Sequence, residues 1–134
     1  MAPQALKALA ARLAPWRDGR SGESRACRYL AARGFEIVER NFRCRSGEID
    51  VIAREGATTV FVEVKQRSSE RHGLGHEAVT FGKRRRIVRA ARLYAAARGL
   101  AESPLRFDVV SILDGPSGES EIRHDRGAFD ADGR

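Results

Sequence analysis

Asp50, Glu63 and Lys65 are the residues of this sequence whose types and spacing could do chemistry. They sit in two alternating, β-branched runs, Gly47-Glu48-Ile49-Asp50-Val51-Ile52 and Val60-Phe61-Val62-Glu63-Val64-Lys65, with Arg54-Glu55-Gly56-Ala57 between them. Such runs about a glycine-containing turn predict a β-hairpin. With Glu55-Gly56 as the turn, Asp50 falls opposite Phe61 and Ile49 opposite Val62. Strand side chains alternate and opposite residues share a face. One face then collects Ile49, Val51, Val60, Val62 and Val64, a plain core face. The other collects Glu48, Asp50, Ile52, Phe61, Glu63 and Lys65. Asp50 and Glu63 become diagonal neighbours, their backbones roughly 7–8 Å apart. Two carboxylates across such a gap can hold a divalent cation, which wants oxygen ligands and keeps several waters. Lys65 points the same way and can hold a water or a phosphate beside it. A Lewis acid, an oriented nucleophile and a positive charge near the developing negative one are what phosphodiester hydrolysis requires. Glu63 and Lys65 alone equally describe a solvated cross-strand ion pair. Asp50 fits that account less well, because Asp is depleted in strands.

The elements that must position these residues follow in order. Ser21 is a helix N-cap with Glu23 in the first turn, and the helix runs to about Arg33, stopped by Gly34. Its buried stripe is Ala26, Cys27, Leu30 and Ala31. Glu23 lies on the same side, either an ordinary first-turn acid or a site residue. Phe35 to about Arg43 reads as a first strand, with Phe35, Ile37 and Glu39 to one side. Asn41 to Gly47 reads as a basic loop, with Arg43 and Arg45 either solvated or touching a phosphate backbone. Gln66 to His76 is polar and aperiodic, a loop beyond the Lys65 strand. His72 and His76 have no matching third ligand and read as incidental. Gln66, next to Lys65, is a candidate for orienting a site group. Thr80 caps a second helix, Phe81 to about Arg98, with Gly99 as its stop. Ile87, Val88, Ala91, Tyr94 and Ala95 form its apolar stripe. Lys83, Arg84, Arg85, Arg86, Arg89 and Arg92 cover the rest. Like charges at i,i+4 cost stability, which favours phosphate contact over a merely solvated face. Lys83 and Arg84 lie nearest the site. Leu105 or Arg106 to Leu113 is a further strand. Its Asp108 is either a fourth site acid or the partner of an arginine. Glu121 to His124 is a short edge strand, with Phe129 packing back on the core.

Gly22-Glu23, Asn41-Phe42-Arg43, Ser46-Gly47-Glu48-Ile49-Asp50, Phe61-Val62-Glu63-Val64-Lys65 and Glu77-Ala78-Val79-Thr80 occur in that order over roughly Ser21 to Leu113. This set resembles the YraN-like family of small bacterial proteins. That family is grouped with the PD-(D/E)XK nuclease superfamily and is similar to archaeal Holliday-junction resolvases. Ile49 stands where the superfamily name has Pro. The resemblance implies a three-layer, restriction-endonuclease-like α/β fold, with a central mixed sheet flanked by helices. It implies Mg²⁺ or Mn²⁺ held by Asp50 and Glu63, with Glu23 joining directly or through water, and Lys65 positioning the attacking water or stabilising the phosphate. The catalytic set would be Glu23, Asp50, Glu63 and Lys65. Arg43, Arg45, Lys83, Arg84, Arg85 and Arg89 would grip the nucleic-acid backbone without reading bases. A metal-dependent endonuclease acting on DNA, including branched or junction DNA, is the function this favours. A nucleic-acid-binding protein that keeps the fold without cutting is the alternative.

Composition agrees with a polyanionic partner. The chain has 134 residues, 25 Lys plus Arg against 18 Asp plus Glu, a formal charge of +7 and a pI near 10.4. That points to nucleic acid before membrane, although arginine-rich composition also follows from a GC-rich genome. No apolar run approaches the ~20 residues of a membrane span. Met1 to Leu13 lacks signal-peptide order. Cys27 and Cys44 lack metal-ligand spacing and read as free thiols of a cytoplasmic protein. The expected organisation is an arm over residues 1–20, flexible or short-helical, one domain over 21–129 and a disordered tail over 130–134. A two-fold homodimer would suit a junction substrate.

Overall fold

The structure, a computed structural model, describes residues 15–68 and 79–134. The expected helix over Gln4–Leu13, His72, His76 and the Glu77-Ala78 pair lie outside the described residues. A 3-10 turn (Pro15–Arg17) leads to α1 (Gly22–Ala32). Then come β1 (Glu36–Cys44), β2 (Gly47–Glu55), β3 (Thr58–Ser68), α2 (Phe81–Ala97), β4 (Leu105–Asp114) and β5 (Ser120–Phe129). Both helices begin where the sequence predicts. The Ser21 hydroxyl accepts from the Ser24 N–H at 3.1 Å and the Thr80 hydroxyl from the Lys83 N–H at 3.2 Å. The five strands form one sheet in chain order. β3 and β4 are parallel, because α2 carries the chain back across the sheet; the other neighbours are antiparallel.

Strand alternation separates two cores. Val51, Ala53, Val60, Val62, Val110 and Ile112 pack under α1, against Ala26, Cys27 and Leu30. Ile52, Phe61, Phe107 and Phe129 pack under α2, against Ile87, Val88, Ala91 and Tyr94. Helix, mixed sheet and helix are the three layers of a restriction-endonuclease-like fold. Trp16, in the segment expected to be a flexible or short-helical arm, is buried in the α1 core, and the Arg28 guanidinium donates to the Trp16 and Gly19 carbonyls. Residues 130–134, expected as a disordered tail, make a turn in which Asp130 accepts from the Asp132 and Arg134 N–H groups.

Three local expectations are corrected. The hairpin turn is Gly56-Ala57, with Glu55 paired to Thr58 and Val51 to Val62. Gly56 at φ +60° takes the first central position, where a tight hairpin turn favours glycine. The shift moves the pairing by two residues and so leaves each residue's face unchanged. Ile49 is the exception: it packs with Ile52 and Phe61 under α2, not with Val51. β1 pairs Arg40 with Val51 and Phe42 with Ile49, and the intervening Asn41 has φ +53°. Alternation therefore breaks at Asp50. Finally, Asn41 to Gly47 is not a loop. β1 continues to Cys44 because Phe42 packs edge-on against Tyr94, ring centroids 5.3 Å apart, and Arg45-Ser46 alone make the turn.

Asp108 settles as a structural acid. Its side chain is fully buried on the α1 face and accepts from Arg106 at 2.8 and 3.0 Å and from the Gly127 N–H at 3.0 Å; His124 Nε2 lies 2.8 Å away. Burial by itself would raise its pKa, but the bonds with His124, Arg106 and Gly127 hold the carboxyl well below the ordinary range. Removing one partner from a buried ionic network costs about 3 kcal/mol. Asp108→Asn is therefore expected to lower the thermal midpoint by about 10 °C, measured by calorimetry. A midpoint within about 2 °C of wild type would contradict this role.

Candidate functional site

The β2–β3 ladder ends at Val51–Val62. One step beyond it Asp50 and Glu63 face each other across strands that are no longer hydrogen-bonded. The Val64 N–H, which a continuing ladder would have paired, instead donates to Asp50 Oδ2 at 2.9 Å. That bond aims the Asp50 carboxylate at β3. Glu63 lies on the α2 face and its side chain is only 5% exposed. The two carboxyls are close enough to hydrogen-bond each other. Burial, then the Glu63 charge, pushes the Asp50 pKa up to about 7; the Val64 N–H and Lys83 oppose this. A like charge nearby in low dielectric disfavours the ionised carboxylate in this way.

Glu23 reaches the pair from α1. Burial first and the Asp50 charge second raise its pKa, while Arg40 and a hydrogen bond from Asn41 lower it. Asn41 can stand there because Asn tolerates the left-handed backbone it adopts. Glu48 adds a further negative charge. The start of α1 is held close to β3: a Cβ on Gly22 would meet Gln66 Oε1 at 2.8 Å. Gln66 acts on the site through α1. Its amide donates to Asp114 at 2.9 Å, and Asp114 also binds Arg25 at 3.0 Å, tying α1 to the ends of β3 and β4.

Glu23 Oε1 is buried with no hydrogen-bond partner among the described residues. A buried carboxylate oxygen without a donor fits a cation-binding role, because an uncompensated one costs a few kcal/mol. Oxygen-only donors at Asp50, Glu63 and Glu23 suit a hard cation such as Mg²⁺ or Mn²⁺. Among the described residues, no three His, Cys, Asp or Glu side chains are already gathered tightly enough to hold an ion. Lys83 Nζ lies 2.5 Å from Glu63 Oε1 and supplies the positive charge there.

The other predicted residues divide by place. Lys65 follows Glu63 in the same face of β3, half-buried, and lines an open groove with Arg84. Arg85 and Arg89 line a different cleft, beside Ala131 and Arg134 on another side of α2. Arg43 is an exposed strand residue 3.6 Å from Glu48, and Arg45 lies in the β1–β2 turn. The structure thus brings Glu23, Asp50, Glu63 and Lys83 together, with Lys65 and Arg84 alongside, and leaves Arg43, Arg45, Arg85 and Arg89 elsewhere. Sequence reasoning missed Arg67 and Arg123, which also line the groove. The period-two spacing Glu63, Lys65, Arg67 was the available signal for the first; Arg123 needed the β4–β5 register.

A restriction-endonuclease-like fold with a carboxylate cluster where two central strands part defines the class. Residues 22–112 match the family described as "Uncharacterised protein family UPF0102". The chain is 49% identical over 115 residues to a UPF0102 protein of Symbiobacterium thermophilum, covering 86% of this chain and 98% of that one. It is 51% identical over 92 residues to one from Hahella chejuensis, covering 69% and 74%. With one from Geotalea uraniireducens it shares 48% identity over 112 residues, covering 84% and 88%. The chain belongs to the UPF0102 family, the YraN-like group of the sequence resemblance.

The raised Asp50 pKa has a consequence for stability. Below pH about 4 Asp50 is protonated folded or unfolded. Between there and about 7 the folded chain keeps a proton on Asp50 that the unfolded chain has released. This group therefore loses the folded state stability as pH rises through that window. Asp50→Asn carries no such dependence. Its stability relative to wild type is expected to increase from pH 4 to pH 7 in urea titrations. A constant difference across that range would contradict the raised Asp50 pKa.

Proposed function

We propose that this protein is a metal-dependent nuclease that hydrolyses phosphodiester bonds in nucleic acid, with DNA as the expected substrate. The observation that carries this reading is the half-buried Asp50 carboxyl facing the buried Glu63 where β2 and β3 part, with the unpartnered Glu23 oxygen beside them. Like-charged carboxylates held together destabilise a fold; the Val64 N–H and the Lys83 ammonium meet Asp50 and Glu63, against four contacts that answer Asp108. Asp50 and Glu63 would hold Mg²⁺ or Mn²⁺, with Glu23 contributing directly or through water. The bound cation supplies Lewis-acid polarisation of the phosphate and lowers the pKa of water.

The chain's own residues do the rest. The Val64 N–H fixes the Asp50 carboxylate in place. Lys65, one pleat beyond Glu63 on the same face, orients the attacking water or meets the charge that builds on the phosphate. Lys83 neutralises Glu63, and its ammonium would be available to a phosphate oxygen where a cation compensated Glu63 instead.

The same Lys83–Glu63 contact favours a second reading, a nucleic-acid-binding protein that does not cut. An ammonium at 2.5 Å already compensates Glu63 without any metal. The two readings separate on a panel of labelled DNAs (duplex, flap, four-way junction and single strand) incubated with Mn²⁺ or Mg²⁺. The nuclease reading expects cutting that needs the cation and falls at least about 100-fold in Glu63→Ala and Lys65→Ala. Binding without cutting, equal in EDTA and in both variants, would establish the non-cutting reading instead.

A further inference from the structure

α2 covers only part of its face of the sheet. Beyond its first turn, β3, β4 and β5 floor an open groove of about 810 Å³ whose lining on β3 begins at Lys65, two residues after Glu63. Strand register sets out what the floor presents. Lys65 pairs with Ser111, and Ser111 with Arg123, so these three stand in one row across three strands. The row before it holds Glu63, Val109 and Asp125. Arg67 extends the β3 side, and Arg84 forms the wall at the start of α2. The groove therefore has cations on both sides of an apolar strip, with Asp125 the acid among its lining.

Two observations point to an anionic occupant. Arg84 Nε is buried without a hydrogen-bond partner among the described residues, and its guanidinium is steadied over the Phe129 ring at 5.8 Å. Arg123 is 62% exposed and among the described residues pairs with Glu121 at 3.8 Å, itself 67% exposed, a contact that costs little to give up. The row spans two inter-strand spacings, about 10 Å between backbones. That width takes one sugar–phosphate backbone rather than a duplex. The aromatic ring on the floor, Phe129, is buried, so base stacking has no exposed platform there.

We propose that this groove is the track of a single nucleic-acid strand leading to the Asp50–Glu63 pair, with phosphates held by Arg84 and Arg123 and by the Lys65–Arg67 side of β3. The proposal rests on the phosphodiester reading but is tested separately from it. It also moves the backbone contacts from the far side of α2 to the sheet.

The test is fluorescence anisotropy of labelled 15-mer oligodeoxythymidine and oligouridine in EDTA over a salt series, so that no cutting is needed. Arg123→Glu is expected to weaken binding about tenfold, and Arg84→Gln with Arg123→Gln to flatten the log K against log salt slope by about 1.4, two phosphates' worth on a single strand. Arg123 is a surface residue, so its single variant should keep the wild-type thermal midpoint; the reading does not depend on the double variant folding. Loss that follows Arg85→Ala with Arg89→Ala instead, or wild-type affinity in Arg123→Glu, would overturn the groove. So would binding of poly-glutamate with neither oligonucleotide bound. Cutting in Mn²⁺ with unaltered binding in the groove variants sinks this inference alone. Groove-dependent binding with no cutting sinks the nuclease reading alone.

Discussion

Two carboxylates held together out of water cannot both be charged, and the site is arranged around that constraint. Asp50 and Glu63 meet because β2 and β3 stop pairing at Val51–Val62 and the chain continues on both sides. The Val64 N–H left over by that parting is what fixes Asp50. Crowding of the two is met in two ways: the Asp50 pKa is raised and Lys83 sits on Glu63.

The rest of the fold supplies what the pair lacks. Glu23 arrives because Gly22 lets α1 close on Gln66, and because Arg25 and Gln66 both bind Asp114. Lys83 arrives because Thr80 starts α2 at a residue that puts it over β3. Away from the site, on the α1 face, Asp108 shows a buried acid treated as structure: every lone pair is answered, by Arg106, His124 and Gly127. Glu23 Oε1 is the contrast, buried with no hydrogen-bond partner among the described residues.

Much of this was legible in the sequence. Caps at Ser21 and Thr80, stops at Gly34 and Gly99, and alternation in β2 and β3 are local signals, and local chemistry decided them. The hairpin register was read two residues off, yet the faces survived, since an even shift leaves side-chain direction unchanged. What local signals could not show was the break at Asp50. It depends on Asn41 adopting φ +53° in the neighbouring strand and on Phe42 finding Tyr94, contacts made only in the folded chain. The cationic surface failed to read for the same reason. The run Lys83 to Arg92 is visible as charge, but which members share a groove with Lys65 depends on where α2 ends its cover of the sheet. Arg123 enters only through the β4–β5 register.

The most direct test of the account is isothermal calorimetry of Mn²⁺ binding in two buffers of different ionisation enthalpy, at pH 6 and pH 8.5. If the cation displaces the proton of Asp50, about one proton leaves per ion bound at pH 6 and close to none at pH 8.5. Glu63→Gln should abolish the binding. Binding with no proton release at pH 6, or binding untouched in Glu63→Gln, would mean that the Asp50–Glu63 pair is not where the cation goes.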